Sequence, residues 1–184
     1  MPIYQYVHSG APLTMVERDT IAKGIVHIHH SVTNAPEPFV RVVFQPVPLG
    51  MIYTAGEIAP SVVLNCQIRA GRTQEQRHEL LSRCYQLISR VTKLAPDQIV
   101  ISIGETPGPD IMEAGLILPP PTDEAEPAWV TSLQQTYPGQ YDDWGVHGKL
   151  TPDVVDQSSR RDQFGKIAHE VFDMAKRESG KLHH

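Results

Sequence analysis

Ser61-Val62-Val63-Leu64-Asn65-Cys66-Gln67-Ile68, then Arg69-Ala70-Gly71-Arg72, then Thr73-Gln74-Glu75-Gln76, is the stretch that decides the fold, because its pattern also stands 59 residues upstream. Its first eight residues read as a strand. Thr73-x-x-Gln76 reads as a capping box, in which the two side chains satisfy backbone N–H groups that a helix start leaves orphaned. Leu80, Cys84, Leu87, Ile88 and Val91 then recur at helical spacing and line one face. Pro96 stops that helix, and residues 98–103 supply a closing strand. Upstream, Pro2-Ile3-Tyr4-Gln5-Tyr6-Val7 is the matching strand and Thr14-x-x-Glu17 the matching capping box. Ile21, Ile25, Ile28 and Val32 form the matching helix face, and residues 39–44 the matching strand. On this offset Pro2 is the counterpart of Ser61.

Helices of this length between strands permit parallel crossovers. The expected fold is therefore α/β of the α+β kind: two pseudo-symmetric β-α-β units forming a four-stranded sheet with two helices on one face. Met51-Ile52-Tyr53, between the units, reads as an extra strand or hairpin. Such a sheet leaves two exposed edges, so association through them is expected. After Pro119-Pro120-Pro121 the composition changes. Residues 2–121 are read as the domain and 122–184 as a C-terminal extension, with a loop over 122–150 and a helix over about 152–177 that starts at Thr151-Pro152-Asp153. His183-His184 resemble the start of a purification tag and carry no argument.

A net charge of −5 over 184 residues leaves no basic footprint for nucleic acid. No run of 18 apolar residues points to a membrane span, and the N-terminus lacks a basic-then-apolar signal pattern. Cys66 and Cys84 have neither redox nor zinc spacing; they read as small buried apolar residues in a reducing, cytoplasmic setting. In the cluster His27-Ile28-His29-His30, His27 and His29 point to different sides of their helix and no i, i+4 pair exists, so no metal site is expected.

The residues that point to chemistry begin with Pro2. Initiator methionine is usually trimmed before a small residue, and trimming would leave a secondary amine at the head of a strand. An α-amino group titrates near ~8, close enough to neutrality for acid or base work. Arg69 and Arg72, at the end of the second unit's first strand, are either solvated loop residues or a fork-shaped clamp for a carboxylate. Placed near Pro2, they would also lower the amine's pKa. His29, near its helix C-terminus, is either a surface or capped histidine or a hydrogen-bond donor to a bound anion. Glu113, in an apolar stretch, is either a supporting structural acid or a general acid/base with a raised pKa.

These positions together resemble the tautomerase superfamily, specifically the branch around cis-3-chloroacrylic acid dehalogenase. The matching segments are Pro2-Ile3-Tyr4, Ile21-Ala22-Lys23-x-Ile25 running to His29, Val43-Phe44-Gln45, Arg69-x-Gly71-Arg72, and Gly104-Glu105-x-Pro107 leading to Glu113-x-Gly115 and Leu118-Pro119. They span residues 2 to about 121 in order. The resemblance implies a homotrimer of the tautomerase, or migration-inhibitory-factor-like, fold, with no cofactor and a small carboxylic acid as substrate. By the same resemblance Pro2 is the catalytic amine, Arg69 and Arg72 hold the substrate carboxylate, His29 assists there, and Glu113 positions or activates water. Ser102 stands where dehalogenases of this branch carry a tyrosine, and Ser102 and Tyr4 are the supporting hydroxyls available. The expected activity is keto–enol tautomerisation of 2-oxo acids, with side activity as a hydratase or dehalogenase on three-carbon acrylates. The alternatives are a dedicated dehalogenase or hydratase, and a non-catalytic binding protein on the same fold.

Overall fold

A computed structural model describes residues 2–122 and 124–139. In chain order the elements are β1 (Ile3–Ser9), α1 (Met15–Thr33), β2 (Arg41–Val47), β3 (Tyr53–Thr54), β4 (Glu57–Ile58), β5 (Ser61–Arg69), α2 (Gln74–Thr92), β6 (Ile99–Thr106), β7 (Met112–Glu113), β8 (Leu116–Ile117) and α3 (Ala125–Thr136). The main sheet has the order β2-β1-β5-β6. Strands are parallel within each unit and antiparallel where β1 meets β5. The expected pair of β-α-β units is thus the architecture observed. Both capping boxes form: Thr14 accepts from the Glu17 backbone while Glu17 accepts from the Thr14 backbone, and Thr73 and Gln76 do the same.

The two helices lie against each other over one face of the sheet. Gly24 makes their contact close, since a Cβ there would sit 2.6 Å from Leu87 Cδ2. Tyr4, Tyr6, Ile21, Ile25, Leu64, Leu80, Cys84 and Ile88 fill the layer between sheet and helices. The opposite face is open; it presents Gln5, Val43, Asn65, Gln67, Val100 and Ser102.

The repeat extends further than the sequence pattern suggested. Tyr53–Thr54 and Glu57–Ile58 pair as a hairpin, which resolves the linker expectation. A second hairpin, Met112–Glu113 with Leu116–Ile117, stands 59 residues later. Each turns through an Ala-Gly pair with positive φ, Ala55-Gly56 and Ala114-Gly115.

One equivalence needs correcting. Ile3 aligns with Arg41, whereas Val63 aligns with Val100, so in the first strands the offset is 60 and Pro2 corresponds to Val62 rather than Ser61. The second unit has one residue fewer between strand and helix. A one-residue slip exchanges the faces of a strand, and with the corrected offset buried Tyr4 and Tyr6 match buried Leu64 and Cys66.

Residues 122–150, read as a loop, contain helix α3. Proline and acidic residues masked it, but Pro127 lies in the first turn, where a helix tolerates proline. Trp129 packs on Phe39 with ring centroids 5.7 Å apart, and Leu133 is fully buried. The helix expected over 152–177 lies outside the described residues. Among the described residues no helix is long and apolar enough to cross a membrane.

Candidate active site

Antiparallel pairing brings the start of β1 to the end of β5, with Ile3 opposite Gln67. Pro2, which is buried, therefore lies at the end of the sheet where Arg69 and Arg72 leave β5. β2 starts at that same end because it runs parallel to β1, and the Arg41 N–H donates to the Pro2 carbonyl at 3.0 Å. The Ala70 N–H donates to Thr106 O at 2.8 Å, tying the arginine loop to the end of β6.

Below this end, α1 carries His29 into the core, where it is 1 % exposed. Its Nδ1 lies 2.7 Å from Tyr4 Oη, with the two rings edge-on. Burial, reinforced by the positive charge of Arg72, pushes His29 down to about 3, so the imidazole is neutral at pH 7. Burial moves the Tyr4 phenol in the opposite direction, well above its usual value, so it keeps its proton. With the phenol as donor, Nδ1 is the acceptor and the remaining ring proton stands on Nε2.

Glu113 is 6 % exposed on β7, and Arg41 Nη1 meets its Oε1 at 2.5 Å. One arginine thereby grips Pro2 through its backbone and Glu113 through its side chain. Nothing in the sequence pattern singled out Arg41. A charge at a strand start reads as solvated unless parallel pairing with β1 is already known.

Arg69 and Arg72 are both half-buried. Desolvation, and then the charge of Arg72, pulls Arg69 down to about 10. Desolvation also lowers Arg72, with Glu105 acting against it. Two partly desolvated cations that feel each other's charge make the local potential positive. Arg72 Nε is buried with no hydrogen-bond partner. Gly71 between them has φ +106°, and a Cβ there would come within 2.5 Å of Pro121 Cγ, so the loop is clamped beneath the proline run. Arg77 Nη1, from the first turn of α2, donates to Arg72 O at 2.6 Å and to Glu105 Oε2 at 3.2 Å.

Ser102 is not brought to this group. It lies on the open face, where its hydroxyl donates to Asn65 Oδ1 at 3.1 Å, whereas Tyr4 faces the helices. Among the described residues no three His, Cys, Asp or Glu side chains cluster in a way that could hold a metal. An open groove lined by His78, Leu81, Ser82, Tyr85 and Ile101 runs along α2 and β6 and includes none of the residues above.

A proline, two arginines, a buried neutral histidine and a buried glutamate thus converge on one end of a duplicated β-α-β sheet. Residues 1–134 match the family described as "Putative oxalocrotonate tautomerase enzyme". The chain belongs to this tautomerase family. The match runs through most of α3, past the boundary at 121 that composition suggested. The tautomerase fold is shared with the solved structure of native Ps01740, at 31 % identity and TM-score 0.59, over 60 % of this chain and 99 % of that one. N1, a member of the cis-3-chloroacrylic acid dehalogenase family, is 28 % identical with TM-score 0.67, over 73 % of this chain and 94 % of its own. A fused 4-OT solved as an asymmetric trimer shares the fold at 20 % identity and TM-score 0.58, over 62 % of this chain and 94 % of that one. No curated protein matches the sequence.

Proposed function

We propose that this tautomerase, once Met1 is removed, uses the Pro2 amine to interconvert the enol and keto forms of small 2-oxo carboxylic acids. The observation that carries the reading is the meeting of Pro2 with half-buried Arg69 and Arg72 above the neutral His29–Tyr4 pair. The guanidinium forks and the His29 Nε2–H hold the substrate carboxylate. The positive surroundings disfavour a protonated amine, leaving Pro2 as the base. Pro2 takes the proton of the 2-hydroxyl, the enol π electrons capture the proton at C3, and the 2-oxo acid results.

Glu113 supports a second activity. A carboxylate held by Arg41 is suited to orient water for attack at Cβ of a three-carbon acrylate, with protonated Pro2 donating to Cα. This is hydratase or dehalogenase chemistry, and the N1 relative belongs to a family named for a dehalogenase. Ser102, facing the other way, offers no phenol to share that task, so tautomerisation is the main activity. The open sheet face, with exposed Val43 and Val100, supports assembly as a homotrimer.

The test is the ultraviolet rate of phenylenolpyruvate ketonisation by the Met1-trimmed protein and its Pro2→Ala variant. A rate well above buffer that falls by about 10²-fold or more in the variant is expected. An equal rate in the variant would refute proline catalysis. The pH profile separates the two modes, since ketonisation needs the amine deprotonated and rises with pH, whereas hydration needs it protonated.

A further inference from the structure

The duplication provides an internal control for the arginine clamp. In the first unit, Arg18 Nη1 donates to the Leu13 carbonyl at 3.2 Å. Fifty-nine residues on, Arg77 Nη1 makes the same bond to the Arg72 carbonyl. This contact therefore belongs to the shared fold. The second unit adds one thing: Arg77 also holds Glu105, and the position matching Glu105 in the first unit is Pro46. At this position the carboxylate accompanies Arg72, whereas Pro46 accompanies the matching Leu13.

The geometry points to Arg77 as a positioning residue that, by holding Glu105, keeps Arg72 open for a substrate carboxylate. A half-buried guanidinium stays protonated at neutral pH, and Glu105 lies near enough for its charge to act on Arg72. A counter-ion free to swing would form a direct two-point pair with Arg72 and compete with substrate for the same donors. Arg77 prevents this by engaging Glu105 Oε2 itself. Among the described residues the Arg72 side chain accordingly has no ion pair, and its Nε is buried without a partner.

The inference rests on reading Arg72 as a substrate-carboxylate ligand, and the test separates the two. Binding of 3-phenylpropanoate, an unreactive carboxylate with the substrate's skeleton, is measured by calorimetry. The proteins compared are wild type, Arg72→Ala, Arg77→Met, Glu105→Gln and the Arg77→Met/Glu105→Gln double variant. Arg77→Met keeps the aliphatic stem and removes the grip on Glu105. Expected are a loss of about tenfold or more in Arg77→Met, little change in Glu105→Gln, and recovery in the double variant, where no carboxylate is left to occupy Arg72. A purely structural Arg77 predicts a double variant no better than Arg77→Met, which overturns the inference. Absence of wild-type binding, or binding indifferent to Arg72→Ala, refutes the carboxylate reading instead. The Arg72 Nε–Hε resonance judges the brace without ligand: it shifts downfield in Arg77→Met and returns in the double variant. A resonance that does not move rejects the brace whatever the calorimetry shows.

Discussion

Replacing Tyr4 with phenylalanine isolates the bond that orients His29. The ring stays, and with it the edge-on contact of centroids 5.7 Å apart; only the hydroxyl 2.7 Å from Nδ1 is lost. His29 is 1 % exposed, so water does not replace that donor. A buried acceptor left unsatisfied costs about 1–3 kcal/mol. At about 2–4 °C per kcal/mol for a chain of this size, the thermal midpoint should fall by at least about 2 °C at fixed protein concentration. The second consequence is chemical. Without the phenol, nothing in the pair dictates which ring nitrogen keeps the proton. Nitrogen-15 shifts should show His29 protonated at Nε2 in the wild type and as a tautomer mixture in Tyr4→Phe. KM for phenylenolpyruvate should rise more than kcat falls, because on the proposed reading the group affected binds the carboxylate. Unchanged stability together with an unchanged tautomer would refute the orienting role.

His29 also sets an acid limit. Its folded value is depressed from 6.5 to about 3, so between those pH values the unfolded chain binds a proton that the folded chain refuses. Its stabilising contribution is complete above 6.5 and is lost as pH falls to about 3, at about 1.4 kcal/mol per pH unit; urea unfolding across this window should show a shallower slope in His29→Gln. Gly71→Ala combines a positive φ with a collision at Pro121, so it should cost about 1–3 kcal/mol and raise KM; a neutral variant would show that the clamped loop relaxes freely. Glu113→Gln should lower hydration of 3-carbon acrylates by about 10²-fold while phenylenolpyruvate ketonisation stays within a few-fold. Parallel loss of both rates would assign Glu113 to the shared Pro2 step.

The large features were legible because they rest on local rules. Capping boxes at Thr14 and Thr73, and apolar positions at helical spacing, define both helices without any knowledge of the partner strands. Register is less local. Counting from the capping boxes paired Pro2 with Ser61, although the alternating burial of Tyr4, Tyr6 and His8 against that of Leu64, Cys66 and Ile68 could have exposed the missing residue. Helix α3 was hidden because its stability comes from placing Trp129 on Phe39, a contact between residues 90 positions apart in the chain. Tyr4 and His29 could each be proposed as polar groups near a site, but their bond depends on the crossover that lays α1 over β1. Arg41 and Arg77 read as ordinary surface charges, and only the sheet order reveals what each one holds.

The duplication also fixes a stoichiometry. The sheet has two ends related by the internal symmetry, and the chain furnishes only one of them. Opposite Pro2, Arg69, Arg72 and His29 stand Val62, Ser9, Leu13 and Ile88, while Thr54 replaces Glu113 and Val100 replaces Arg41. A single uninterrupted chain has one N-terminal amine, and Val62 can never supply a second. On the proposed reading the second end is thereby released from chemistry, and it carries side chains suited to packing. On the proposed reading, a mechanism-based inactivator that must bind at the Arg69–Arg72 pair before it reacts with the Pro2 amine will saturate at one equivalent per chain in any assembly this protein forms, although the backbone repeats twice as often.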